Sequence, residues 1–317
     1  MGVWQRCWPL VVSCLLATGC SMVAVGYEFF PSAALWQLES YLPLDSEQRA
    51  IASRRLSELH GWHRQKQLPS YVEFIKSQRQ QSLTSSNAEQ ALKVRQWVFG
   101  RWQPIGEKLA PGMAELLVTL TPTQIEKVKE QFAKANRKLR IEYLPSAGTS
   151  WFGRKDSDAA SGSAVAGGAN VERQNALLKA RQQARAERMQ KRFEYFLGDL
   201  SDEQEKQLRK LSDEQPRYEE LYFAEREARQ SRFLALLNNL TTARLSPAEA
   251  EQQCKIFLAT LWVSQDATRQ ARIDETSRLN DQMTARMLVS ATPAQQTHFA
   301  ERLLAWERDF IRMAGLD

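Results

Sequence analysis

Histidine and cysteine are both scarce in this chain, which has three histidines and four cysteines among 317 residues. The patterns GxSxG and HExxH are absent, and no glycine-rich segment leads into the Lys-Ser/Thr of a phosphate-binding loop. The sequence therefore predicts no catalytic residue, no metal ligand set and no cofactor. Whether the protein is an enzyme stays open, and the absences favour a non-enzymatic protein.

Long apolar runs are also missing. The apolar run from Cys7 to Thr18 spans about a dozen residues, whereas a helix that crosses a bilayer needs roughly 20. Arg6 precedes the run and is the only charged residue before Glu28, and small residues lead from it to Cys20. A basic tip, a short apolar centre and a small-residue end are typical of a secretory signal, so we expect residues 1–19 to be a signal peptide.

The segment LATGC, residues 16–20, resembles the lipobox of bacterial lipoproteins, although Ala17 stands where leucine is usual. The resemblance implies that Cys20 becomes the mature N-terminus and carries a diacylglycerol and a further acyl chain such as palmitate. Two or three chains give stable membrane attachment. By the same resemblance, Ser21 indicates the outer membrane, with the protein facing the periplasm. The alternative is an ordinary cleaved signal followed by an unmodified cysteine.

The formal net charge is +6, with basic and acidic side chains interleaved along the chain. This mild basicity predicts solubility and attraction to anionic envelope surfaces. The expected partners are the membrane, through the N-terminal lipid, and envelope proteins, whereas an exported protein is not expected to bind nucleic acid. Cys254 has no cysteine left to pair with and lies in an apolar helical pattern. It is predicted to be a small buried side chain, with a reactive thiol as the alternative.

The fold class predicted from Ala34 onward is all-α, built of packed helical hairpins, because helix-forming residues dominate and alternating strand patterns are scarce. The expected helices are about 34–42, 46–60, 70–82, 87–103, 105–118, 122–143, 171–198, 202–214, 217–239, 247–289 and 294–314. The expected organisation is a signal peptide (1–19), an extended lipid-anchored tether (20–33), an N-terminal helical half (34–144), a flexible Gly/Ser/Ala-rich loop (145–170) and a C-terminal helical half (171–317).

One five-residue sequence motif recurs along the chain and predicts five helix starts. Its copies are Leu44-Asp45-Ser46-Glu47-Gln48, Leu120-Thr121-Pro122-Thr123-Gln124, Leu200-Ser201-Asp202-Glu203-Gln204, Leu245-Ser246-Pro247-Ala248-Glu249 and Ala291-Thr292-Pro293-Ala294-Gln295. In each copy Asp, Ser or Thr caps a helix, and the Gln or Glu three residues later reaches back to the cap's own N–H. Proline in three copies occupies the first helical position, where no N–H is needed.

This motif is similar to the LTxxQ signature of Spy-type periplasmic chaperones, which are small all-helical proteins that hold unfolded envelope clients. A second resemblance covers most of the chain and points to an uncharacterised family of proteobacterial envelope lipoproteins without an assigned activity. It is carried by the lipobox, Tyr27, Leu38, Tyr41, Leu44-Asp45, Gln48, Trp62-His63-Arg64, Leu68-Pro69, Tyr71, Arg192, Glu194, Leu197-Gly198, Leu200 and Gln204.

A polar and aromatic cluster is the best candidate recognition patch in the sequence. It consists of His60, Trp62, His63, Arg64 and Tyr71. The two histidines are three residues apart and share a helix face, but no third metal ligand is close, so no metal is predicted. The alternative role is to pin a helix corner. Taken together, these features predict a membrane-anchored binding or chaperone-like protein, with an enzyme or carrier acting on envelope lipid or glycan polymers, or a structural tether, as alternatives.

Overall fold

A computed structural model describes residues 22–143, 166–214 and 218–316, and every regular element in these ranges is helical. The helices are α1 (Met22–Glu28), α2 (Phe30–Tyr41), α3 (Ser46–Lys66), α4 (Leu68–Arg79), α5 (Ala88–Gly100), α6 (Trp102–Leu117), α7 (Pro122–Tyr143), α8 (Ala166–Leu197), α9 (Asp202–Asp213), α10 (Tyr218–Thr242), α11 (Pro247–Ala259), α12 (Ala267–Val289) and α13 (Pro293–Ala314), with a short 3₁₀ helix at Leu83–Ser85. The predicted all-α fold is confirmed. None of these helices is both long enough and apolar enough to cross a membrane.

All five predicted helix starts are confirmed, because α3, α7, α9, α11 and α13 begin where the repeated motif places them. Asp45, Ser201 and Ser246 each form a complete capping box with the residue three positions later. Thr121 and Thr292 exchange the same pair of hydrogen bonds with Gln124 and Gln295. A sixth box, between Asn87 and Gln90, opens α5.

Two of these capping glutamines also bind each other. Gln204 and Gln295 are both buried, and each Nε2 donates to the other's Oε1, at 2.8 and 2.9 Å. Gln204 Nε2 also donates to the Ser290 carbonyl, and Gln295 Nε2 donates to the Asp199 carbonyl. Each amide thus caps its own helix with its oxygen and joins the starts of α9 and α13 with its nitrogen.

The structure divides into two compact units. Within the described residues, unit 1 comprises 22–40, 44–81 and 300–316, and unit 2 comprises 41–43 and 82–299. Each unit therefore draws on both of the halves, 34–144 and 171–317, that the sequence pattern suggests. The core of unit 1 contains Ala24, Leu68 and Met313, with Tyr27 and Phe310 among the side chains packed against it.

In unit 2, α6 packs closely against α11 along a seam of small residues. Gly106 and Ala110 on α6 are buried, and so are Cys254 and Leu258 on α11. A Cβ atom at Gly106 would lie 3.4 Å from the Leu258 Cβ, at the short end of ordinary van der Waals contact, which shows how closely the two helices approach. Burial raises the pKa of the Cys254 thiol to about 11, which keeps it protonated at neutral pH, as suits a packing residue.

A second part of the unit 2 core joins α8, α9 and α12. Leu208, Leu211, Met283 and Met287 are buried together, and Phe193 packs against them. Apolar side chains of α8 and α12 therefore face the core. Gly198 follows α8 with a φ of 76°, a backbone conformation that favours glycine at a helix end.

The expectation of an extended tether at residues 20–33 is wrong for the described part, because α1 begins at Met22 and α2 at Phe30. Gly26 and Pro31 suggest a break, but neither prevents helix formation here. Pro31 is the second residue of α2, where its missing N–H costs no helical hydrogen bond.

The prediction of a single helix at 247–289 is also wrong. It is interrupted between Ala259 and Ala267, so that α11 and α12 are separate helices. Of the expected flexible loop at 145–170, residues 166–170 belong to α8, and residues 145–165 lie outside the described ranges. Helix α3 continues past the expected end at residue 60 as far as Lys66.

The glutamine pair generates a stability prediction. Gln204→Glu replaces a buried amide donor by a carboxylate beside the Gln295 and Ser290 oxygens, so the free energy of unfolding should fall by about 2–4 kcal/mol. Urea unfolding followed by circular dichroism measures the change.

Glu249→Gln is the matched control. Glu249 closes the exposed capping box of α11, where a glutamine makes the same bond to the Ser246 N–H, so stability should stay within about 0.5 kcal/mol. Equal stability losses in the two variants would contradict the joining role of the glutamine pair.

Candidate functional site

In unit 1, the candidate recognition patch is largely an internal hydrogen-bonded cluster. His63 lies between two phenols, with its Nδ1 2.9 Å from the Tyr27 oxygen and its Nε2 3.2 Å from the Tyr71 oxygen. A neutral imidazole has one donor and one acceptor nitrogen, so one phenol donates to the ring and the other accepts from it. The chain of three side chains joins α1, α3 and α4, which explains why α3 and α4 meet at this corner.

The rest of the cluster surrounds Tyr27. The His60 ring lies 4.4 Å from the Tyr27 ring, measured between centroids, and its buried Nε2 has no hydrogen-bond partner. Arg64 forms an ion pair with Glu28, and its guanidinium carbon lies 5.8 Å from the Tyr27 ring centroid. These contacts fasten α1 to α3.

Burial shifts the pKa values of this cluster toward the neutral forms. Loss of hydration raises the pKa of the Tyr27 phenol to about 12, although the nearby Arg64 opposes the shift. Burial lowers the pKa of His63, and the charge of His60 adds to the effect. The pKa of His60 is lowered by burial and then by Arg64. The cluster is therefore a set of neutral rings at neutral pH.

Trp62 is half-buried and makes no ring contact or hydrogen bond with another described residue. The structure thus brings together His60, His63, Arg64 and Tyr71 but not Trp62. Their contacts are those expected of a helix corner, and a recognition role for the patch stays a prediction. In the described ranges, no group of three His, Cys, Asp or Glu side chains is arranged to hold a metal ion.

Unit 2 carries a second candidate surface, which is aromatic and exposed and which no sequence pattern predicts. Trp262 lies between α11 and α12, and its ring contacts Phe99 at 6.3 Å and Trp102 at 5.8 Å, both measured between centroids. Val98 and Val263 flank it, and both are exposed, as are Phe99 and Trp262. We call these five residues the aromatic patch: Val98, Phe99, Trp102, Trp262 and Val263.

Three arginines border the aromatic patch, and none of them forms an ion pair with a described residue. Arg229 lies over the Trp262 ring, with 5.4 Å from its guanidinium carbon to the centroid, and Arg101 lies over Trp97 at 5.0 Å. Arg232 donates to the Thr260 carbonyl, but its Nε and Nη2 are buried without a partner. The border is therefore positively charged, and the unpartnered nitrogens of Arg232 are buried beneath it.

The segment that carries Trp262 and Val263 is held in place by a buried carboxylate. Glu225 on α10 accepts hydrogen bonds from the Ser264 hydroxyl and from Arg269 Nε. Ser264 Oγ in turn accepts from the Asp266 N–H, and Asp266 caps α12. The Trp102 indole N–H donates to the Leu258 carbonyl at 2.9 Å and fixes the other end of the segment. The segment that carries the exposed Trp262 ring is therefore fixed by hydrogen bonds at both ends.

One signal in the sequence marks this segment. Asp266 precedes a helix-forming stretch and is a favoured N-cap residue, so it predicts a new helix start inside the span 247–289. The signal does not reveal that Trp262 would be exposed beside Phe99, because the two residues are brought together by the packing of α6 against α11 and of α5 against α12.

A groove of about 390 Å³ between α7 and α10 is an alternative site with charged walls. Its polar groups bind one another, since Arg140 pairs with Glu227 and Asn136 pairs with Gln230 and Arg226. The groove therefore offers a ligand fewer unpaired groups than the border of the aromatic patch.

Comparison with known proteins gives one match. Residues 40–154 match the model of a Family of unknown function (DUF6279). The matched range includes His60, His63, Arg64 and Tyr71 on α3 and α4. It also includes three residues of the aromatic patch (Val98, Phe99 and Trp102), whereas Trp262 and Val263 lie outside it. The match confirms the predicted resemblance to a family without an assigned activity, and the similarity to Spy-type chaperones stays a prediction. No curated protein and no solved structure matches the chain.

Cys20, the predicted lipidation site, lies outside the described residues, as does the expected signal peptide.

The neutral histidines of unit 1 predict a pH-dependent stability. Because the pKa of His63 is lowered in the fold, the unfolded chain binds more protons once the pH drops below about 6.5. The stabilising effect of the neutral ring is complete above that pH and is lost as the pH falls toward the folded pKa. Urea unfolding midpoints between about pH 8 and pH 5 should therefore decline on acidification.

His63→Gln tests the origin of this decline. Glutamine keeps a donor and an acceptor for Tyr27 and Tyr71 but does not titrate, so the variant should lose less stability between the two pH values than the natural chain. An identical decline in both proteins would exclude His63 as its source.

Proposed function

We propose that this protein is a lipid-anchored binding protein of the bacterial cell envelope that holds polypeptide segments against the aromatic patch of unit 2. The observation that carries the binding role is the exposed pair of Phe99 and Trp262, bordered by arginines that lack carboxylate partners. The lipobox resemblance at residues 16–20 supports the anchor, and Ser21 supports an outer-membrane location facing the periplasm.

Composition favours a protein ligand for the patch. Tryptophan, phenylalanine and arginine are enriched at protein interfaces, where they account for much of the binding energy. An exposed aromatic group covered on binding loses contact with water, and two valines extend the apolar area on either side. A polypeptide segment with apolar side chains therefore fits the centre of the patch.

The positive charge at the border indicates which residues a bound polypeptide should contain besides apolar ones. Arg101 and Arg229 lie over tryptophan rings and make no ion pair with a described residue, and Arg232 has two unused guanidinium nitrogens. An acidic side chain on the bound segment would be attracted to the positive charges of Arg101 and Arg229. We therefore infer that the preferred segment combines apolar and acidic residues.

Order in the patch favours binding without prior rearrangement. The bonds from Glu225 to Ser264 and Arg269 hold the exposed segment before any ligand arrives. A preorganised surface loses less conformational entropy on association than a mobile one. The mechanism is reversible holding of an extended segment and needs no chemical step.

The binding proposal is tested with a labelled, permanently unfolded acidic polypeptide, followed by fluorescence anisotropy. The natural chain should bind it saturably. Val263→Glu places a negative charge beside Trp262, where it repels an acidic ligand and removes exposed apolar surface, so the affinity should fall at least about tenfold.

Val289→Glu is the matched control, because Val289 is 46% exposed against 48% for Val263 and lies at the end of α12 in the same unit. It should bind as the natural chain does. Equal weakening by the two substitutions, or no saturable binding by the natural chain, would reject the aromatic patch as the binding surface.

The anchor is tested separately by Cys20→Ser in cells that produce the full chain. The natural protein should fractionate with membranes and show acyl mass on its N-terminal cysteine. The variant should lack the acyl mass and either appear in the soluble periplasmic fraction or remain an unprocessed precursor, since serine cannot form the thioether. Unchanged mass and membrane retention would contradict lipidation.

A further inference from the structure

The first two helices of unit 1 carry an exposed face that is almost entirely apolar. Phe29 is 64% exposed and Trp36 is 71% exposed, and Val25, Phe30 and Ala33 are exposed beside them. Val25 lies on α1 and Phe29 between the two helices, and Ala33 and Trp36 are three residues apart on one side of α2. We call Val25, Phe29, Phe30, Ala33 and Trp36 the N-terminal face.

The opposite side of the same segment packs inward. Ala24 is buried against Leu68 and Met313, and Tyr27 packs into the same cluster and contacts His63. Leu38 is half-buried. Helix α1 is thus fixed to the body of unit 1 by one side, and α2, which has no buried residue, follows it with Phe30, Ala33 and Trp36 exposed.

Charge is nearly absent from this segment. Glu28 is the only ionisable acid or base with a formal charge at neutral pH between residues 22 and 38, and it is paired with Arg64. Covering the N-terminal face therefore removes no unpaired charge from water. The aromatic patch of unit 2 differs, because it is bordered by arginines without carboxylate partners.

The position of the face in the chain indicates what covers it. Cys20 lies three residues before Val23, and three extended residues span about 10 Å at most. An acylated Cys20 would have its chains in the bilayer and would keep the following helix within that reach of the headgroups. We propose that the N-terminal face lies in the interfacial region of the membrane that holds the lipid anchor, an inference that rests on the proposed lipidation of Cys20.

The chemistry of the face suits that location. Tryptophan and phenylalanine partition favourably into the headgroup region, and a helix that lies in the interface buries its apolar side about 5–10 Å deep. The pair Glu28–Arg64 sits at the flank of the face, where it remains hydrated. The protein would then contact the membrane through its acyl chains and through Phe29 and Trp36.

The test uses the full chain as cells produce it, reconstituted into vesicles of phosphatidylethanolamine and phosphatidylglycerol that contain a lipid with a diazirine on its acyl chain. After irradiation, mass spectrometry locates the attached lipid. Labelling of residues 22–41 should exceed labelling around Ile141 at least about tenfold, because only the former lie in the interface. Ile141 is a suitable reference because it is 67% exposed and lies in α7.

A double variant shows whether the named side chains are responsible. Phe29→Gln with Trp36→Gln should lower the labelling of residues 22–41 several-fold, since both substitutions remove apolar surface without adding charge. Ile141→Gln is the matched control and should leave that labelling unchanged. Labelling that is insensitive to the double variant would overturn the assignment of the face.

Intact mass of the same samples separates this inference from the proposed anchor. Acylated protein without excess labelling of residues 22–41 overturns the inference and leaves the anchor standing. Protein without acyl mass that is still labelled at residues 22–41 retains membrane contact through the face and rejects the anchor. Protein that shows neither acyl mass nor labelling rejects both.

Discussion

The constraint on which much of this structure depends is that a helix start must satisfy backbone N–H groups that have no partner within the helix. Five starts solve it with the same residue types, and four of those use glutamine at the third helical position. Glutamine has an amide nitrogen left over after its oxygen caps the helix. Gln204 and Gln295 use that nitrogen to bind each other, and Gln124 uses it to bind the Pro43 carbonyl. A local cap thereby becomes a tertiary contact.

Glu249 shows why the choice of side chain matters. A glutamate caps α11 as well as a glutamine would, because its carboxylate accepts from the Ser246 N–H and hydroxyl. It has no donor with which to bind a second helix. Glutamate occurs at an exposed start, and the buried pair is formed by glutamines, in agreement with the high cost of burying an unpaired carboxylate. Glu225 is also a buried acid, and its carboxylate is stabilised by hydrogen bonds from Ser264 and Arg269. These bonds hold the segment that bears Trp262.

A feature can be predicted from the sequence when the residues that form it are close together in the chain. The helix starts are predictable because cap and capping residue are three positions apart. The joining of Gln204 to Gln295 is not, since the partners are 91 residues apart. The helix at Met22 is missed and the start of α2 is expected at residue 34 instead of Phe30, because Gly26 and Pro31 suggest a break. In α1 the packing of Ala24 and Tyr27 outweighs that local preference. His60, His63, Arg64 and Tyr71 are found as a cluster, but Tyr27, which contacts three of them, is identified only by the fold.

The two exposed apolar surfaces differ in a way that physical chemistry can interpret. Hydrocarbon offers no hydrogen-bond acceptors, so a surface that enters it must bring few unpaired donors. The N-terminal face meets that condition, because the carboxylates of Glu28 and Glu39 on the same two helices are paired with Arg64 and Arg49. The aromatic patch does not, because the guanidinium group of Arg229 would be dehydrated without a carboxylate to compensate. A polypeptide supplies carboxylates and carbonyls to such groups and a bilayer interior does not, so the distribution of arginine favours the proposed protein ligand at one surface and the proposed lipid contact at the other.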